Sequence, residues 1–123
     1  MWTEREKYLT DFNQIKKHIE DQDGFHDCTL GSFSIKESGK IRFTIEEVID
    51  SRNYPKEGTG KVWDLEADGV SNLRLDIDTA MCFWITEIVP LDNGIGLSIG
   101  GVNGYIEFEA VRFELGIPSE IKY

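Results

Sequence analysis

The chain has 123 residues, 40% of them apolar, and a net charge of −10. One domain of this length buries about two-thirds of its unfolded surface without a disulfide or metal staple, and the apolar content excludes a disordered chain. No stretch reaches the ~18 apolar residues of a membrane helix, and excess acid disfavours nucleic acid and anionic membrane, both of which are bound through Lys and Arg.

The start, Met1 to Lys7, carries both signs of charge and no apolar core, so it does not read as a secretory signal. Residues 3–21 read as one helix. Thr3 and Glu6 form a capping box, and Tyr8, Leu9, Phe12, Ile15 and Ile19 fall on one stripe. Gly24 suits the left-handed residue that ends it. A stripe of this kind is expected to pack on a sheet.

From Phe25 the period becomes two, which alternates side chains between the faces of a strand. The first strand is read over 27–36, with Phe33 and Ile35 on the core face. Cys28 and Leu30 lie in the other phase, so a bulge is expected at Gly31. A turn at Glu37 to Lys40 leads to a second strand with Ile41, Phe43 and Ile45 inward. Residues 50–60, with Pro55 and Gly58-Thr59-Gly60, read as a long loop without regular structure.

Two acidic strands follow. Trp63, Leu65 and Ala67 alternate with Asp64, Glu66 and Asp68, and Leu73, Leu75 and Ile77 with Arg74, Asp76 and Asp78. Residues 81–89 are mostly apolar in both phases (Cys82, Phe83, Trp84, Ile85, Ile88, Val89), which suggests a central strand covered by a helix or second sheet on one side. Leu91-Asp92-Asn93-Gly94 is a hairpin signal. A last long strand is read over 105–115, carrying Glu107 and Glu109, with a bulge near Ala110 where the phase slips. Pro118 ends it, and residues 116–123 read as a loose tail.

Few motifs carry chemistry. Asp21-Gln22-Asp23-Gly24 is part of a calcium loop, but Ile19 and Leu30 occupy positions where ligands are required. His26-Asp27-Cys28 places a base, an acid and a thiol in sequence. On a strand His26 and Cys28 would share a face and Asp27 would not, which leaves the thiol without an orienting acid. His18, His26, Cys28 and Cys82 are the only soft metal ligands and lack zinc spacing. Both cysteines sit in apolar surroundings and read as free thiols of a reducing cytoplasm. The glycines match no phosphate-binding pattern.

One resemblance is visible. Phe25-His26-Asp27 opens a strand, a Gly-centred hairpin follows, Asp68-Gly69-Val70 lies mid-chain, and Gly104-Tyr105-Ile106-Glu107-Phe108-Glu109-Ala110 begins the last strand. This resembles small bacterial β-sandwich families with a Phe-His-Asp first strand, similar to immunity proteins encoded beside polymorphic or contact-dependent toxins. It covers residues 25–115 in outline and leaves out the N-terminal helix. It implies a protein that binds and neutralises a cognate toxin.

The expected fold is a mainly β, α+β domain: an antiparallel sandwich or strongly curved sheet of about seven strands with one N-terminal helix. The expected role is non-enzymatic. Asp64, Glu66, Asp68, Asp76, Asp78, Glu107 and Glu109 would form an acidic face for a basic protein, such as a nuclease toxin. The alternative is a small-ligand or calcium-binding domain using Asp50, Asp68 and Asp92. No cofactor, nucleic acid or membrane partner is expected.

Overall fold

The computed structural model describes residues 5–47, 59–77, 83–91, 95–102, 104–118 and 121–122. In chain order the elements are β1 (Arg5–Leu9), α1 (Phe12–Asp21), a 3-10 turn (Asp23–Phe25), β2 (Thr29–Lys36), β3 (Lys40–Glu46) and β4 (Thr59–Gly60). Then come β5 (Val62–Asp68), β6 (Ser71–Ile77), β7 (Phe83–Pro90), β8 (Gly96–Gly101), β9 (Gly104–Glu109), β10 (Arg112–Pro118) and β11 (Ile121–Lys122). Thr3, Asp50, Asp78, Cys82, Asp92 and most of the 50–60 loop lie outside the described residues.

The protein is mainly β with one helix. Nine strands form one antiparallel sheet in the order β1-β10-β5-β3-β2-β7-β8-β9-β6, rather than the seven or so expected. The β2–β7 junction is short, with Thr29 opposite Trp84 and Leu30 opposite Phe83. It joins a five-strand part to a four-strand part. Buried residues of both parts, including Phe43, Leu65 and Leu115 on one side and Ile85, Ile99 and Phe108 on the other, belong to one cluster. The chain crosses between the parts twice, at Gly69-Val70 and at Ala110-Val111. The Val111 N–H donates to the Asp68 carbonyl at 2.9 Å, which ties the crossings together.

The helix begins nine residues later than its periodicity predicts, because Tyr8 and Leu9 lie in β1. β1 pairs with β10, Tyr8 opposite Gly116 and Leu9 opposite Leu115. Those ladder bonds satisfy backbone groups that a helix would have satisfied internally. Asp11 then caps α1, its carboxylate accepting from the Asn13 N–H at 2.8 Å. Ile15 and Ile19 are fully buried, and Phe12 lies 5.0 Å from Phe113, centroid to centroid. The helix thus covers the inner side of β10 and β5. Gly24 takes the expected left-handed conformation at φ 66°, inside the 3-10 turn that follows the helix.

Other expectations are corrected. Phe25-His26-Asp27 does not open a strand, because β2 starts at Thr29. Ile35 lies on the core side as expected, opposite buried Ile41, but is itself exposed; the bulge brings it into phase with Leu30, opposite Ile45. That bulge falls between Gly31 and Ser34, where it was expected. The phase slip at Ala110 is the break between β9 and β10, which lie in different parts of the sheet, and not a bulge. β7 buries Phe83, Ile85 and Ile88 on one face, while Trp84 and Val89, apolar residues of its other phase, are exposed. Thr59–Gly60, assigned to the loop, pairs with Ile121–Lys122 from the supposed tail, and Gly116 to Pro118 are buried in β10.

Candidate functional site

The expected acids do not form one field. β5 directs Trp63, Leu65 and Ala67 into the core and leaves Asp64, Glu66 and Asp68 on the outer face. Its neighbours bring bases to meet them. Arg42 on β3 stands opposite Glu66, and Arg112 on β10 opposite Asp68. The Lys40 ammonium reaches Glu66 at 2.9 Å and Asp68 at 3.7 Å. The one like-charged pair in this register is Glu66 opposite Glu114. Cross-strand pairs of opposite charge stabilise a sheet and like pairs do the reverse. The hydrogen bond from Lys40 holds the Glu66 carboxyl below its usual range, and the same bond raises the Lys40 ammonium.

Across this face lies a concavity of about 480 Å³, lined by Tyr8, Ser34, Arg42, Asp64, Glu66 and Glu114 among others. Its size is within the range of small-ligand sites. One guanidinium, the hydroxyls of Tyr8 and Ser34 and three carboxylates equip it for a compact polar ligand.

A second acidic group sits elsewhere. β9 and β6 carry Glu107, Glu109 and Asp76, separated from β5 in the sheet order by β3, β2, β7 and β8. Glu107 stands opposite Arg74 and Ser98, and Asp76 opposite Tyr105. Glu109 accepts a hydrogen bond from the Asn72 amide at 2.7 Å. On the same face β8 contributes Gly96, Ser98 and Gly100, alternating with buried Leu97 and Ile99. Nothing bulky rises from that strand. Tyr105 and Val89 flank it and Trp84 lies beyond, all three exposed. The sequence reading missed these apolar residues by assigning Trp84 and Val89 to a covered strand. The small residues at every second position of β8 were the available signal.

The His26-Asp27-Cys28 triplet is arranged differently from its sequence expectation. Asp27 and His26 meet, Oδ2 to Nε2 at 3.5 Å, and Asp27 also accepts from the Trp84 indole at 3.2 Å. The other ring nitrogen of His26 lies 2.9 Å from the Thr86 carbonyl, the main cause of its raised pKa. Cys28 is turned inward, and burial pushes its thiol up to about 11. A nucleophilic cysteine needs the opposite shift.

Among the described residues no three His, Cys, Asp or Glu side chains converge as a metal site. Asp50 and Asp92 of the calcium alternative, and Asp78 of the acidic face, lie outside the described residues. No described helix is long and apolar enough to cross a membrane. Fold and faces together define an antiparallel β protein with one packed helix and two separate charged surfaces. No protein family matches the chain, and neither a curated protein nor a solved structure matches it significantly.

Proposed function

We propose that this chain is a non-enzymatic protein-binding module that docks a basic partner on the outer face of β7, β8, β9 and β6. One observation carries the reading: exposed Trp84, Val89 and Tyr105 share the outer face with Glu107 and Asp76. Interfaces draw most of their energy from a few aromatic anchors, and charges around them steer association. The β5 acids suit this role less, because Lys40, Arg42 and Arg112 already oppose them.

An immunity-type inhibitor of a basic toxin, possessing a sandwich formed by the two parts of the sheet, is the specific form of this proposal. Net charge of −10 favours such a partner. The test is association with the basic C-terminal domain of the protein encoded by the neighbouring gene, at low and high salt. Tyr105→Ala combined with Glu107→Lys should weaken binding and flatten the salt dependence. Asp64→Lys should change both much less. Equal effects from the two faces, or none from either, would remove the proposal.

The β5 concavity supports a second reading, a small polar ligand held by Arg42 and Glu114. A thermal-shift screen of amino acids, sugars and polyamines tests it. A wild-type response that survives Arg42→Ala would refute it.

A further inference from the structure

β6 is the last strand of the sheet, and β9 is its only partner among the described residues. Among the described residues no strand pairs with its other backbone edge, over Ser71–Ile77. Such an edge is a template for another strand, and proteins commonly guard it with charge. Here the guard has a particular order: Leu73, Arg74, Leu75, Asp76, Ile77.

Leu75 stands opposite Ile106, which is fully buried, so Leu73, Leu75 and Ile77 belong to the inward face. Yet Leu73 is 37% and Leu75 49% exposed, because the core ends before it reaches them. Arg74 and Asp76 lie on the other face, opposite Glu107 and Tyr105. Asn72, at φ 53°, sits in the irregularity between Ser71 and Arg74 and limits the regular edge to Leu73–Ile77.

We infer that β6 pairs antiparallel with β6 of a second copy of this chain, about a two-fold axis at Leu75. In that register Leu75 meets Leu75, Leu73 meets Ile77 of the second copy, and Arg74 meets Asp76 of the second copy. The last pairing occurs twice by symmetry, as an isologous interface requires. Three apolar contacts close the inner face, and two opposite-charge pairs close the outer one. A slip of two residues places Arg74 against Arg74 or Asp76 against Asp76. A slip of one sets polar against apolar residues across the join. The sequence of the strand therefore selects one register. Self-pairing also covers two leucines that lie exposed at the rim of the core. The result is one sheet running through both copies from β9 and β6 to their symmetry mates.

Sedimentation or light scattering across a concentration series tests the pairing on the full chain. The wild type should shift from monomer to dimer as concentration rises. Leu75→Lys should stay monomeric with an unchanged circular-dichroism spectrum. Arg74→Asp and Asp76→Arg should each weaken the dimer roughly tenfold or more, and the double exchange should restore much of it. Leu75→Cys should form an intermolecular disulfide on mild oxidation, while Val111→Cys, exposed at the crossing, should not. A wild type that remains monomeric at every concentration overturns the inference and leaves the edge to a strand of another protein. So does a dimer indifferent to Leu75→Lys, or a double exchange no better than the single ones.

Discussion

The indole N–H of Trp63 donates to Nε2 of His18 at 3.0 Å, which fixes the proton of the neutral imidazole on Nδ1. This bond joins the helix to β5 beside the ring of Phe25, 4.9 Å from Trp63. It exists only while His18 is neutral. Burial, the largest influence, lowers the His18 pKa below its ordinary 6.5. Asp21 acts against that shift, and Lys7 and Lys61 act with it.

The unfolded chain therefore takes up the His18 proton first as pH falls. The stabilisation is complete above pH 6.5 and is lost as pH drops from there through the lower native value. His18→Gln, which retains an acceptor without titrating, should flatten this loss in urea midpoints measured from pH 7.5 downward. Trp63 fluorescence should report the same step. An unchanged slope in the variant would show that the bond does not control acid stability.

His26 should act with the opposite sign. The Thr86 carbonyl, then Asp27, raise its pKa above 6.5. Its contribution is complete below 6.5 and fades as pH rises through the native value. NMR titration of the two imidazoles should place His26 above His18.

Cys28 should be inert in the folded protein. With the thiol buried and pushed up to about 11, little thiolate forms at neutral pH. Alkylation followed by peptide mapping should modify Cys28 only when denaturant unfolds the chain. Rapid labelling of that peptide in buffer would contradict the packing.

Phe108 is fully buried and lies 6.0 Å from Phe113, ring to ring, across the β9–β10 break. It links the two parts of the sheet where the chain passes between them. Phe108→Ala should cost about 3–5 kcal/mol in chemical denaturation, as large-to-small core changes do. A cost below about 1 kcal/mol would mean that the two parts do not share a core there.

Gly104 has φ 146°, and a Cβ there would run into the Asp76 carbonyl oxygen of β6. Gly104→Ala should therefore destabilise by more than about 1 kcal/mol and loosen β6 first. Hydrogen exchange should show protection lost at β6 before β3. Uniform loss would argue that β6 does not depend on this close approach.

Much of the local structure is legible in single stretches. Alternation over Ile41–Ile45 and Trp63–Ala67 gives the strands and their buried faces, because period two is a property of each strand alone. The phase change at Gly31 marks a real bulge for the same reason. The helix was only half legible. Leu9 and Phe12 both point inward, one from a strand and one from a helix, so a single stripe hid the change at Asp11. Pairing with β10 decided that change, and it lies more than a hundred residues away in sequence.

The acids show the division most clearly. Sequence determined that Asp64, Glu66, Asp68, Glu107 and Glu109 take the solvent side of their strands, because apolar neighbours claim the core. Only tertiary structure decided what faces them. Strand order set Lys40, Arg42 and Arg112 against β5, and placed β9 beyond four intervening strands, beside a strand of small residues. Charge interacts through space, and strand order is fixed by pairings that no local pattern specifies.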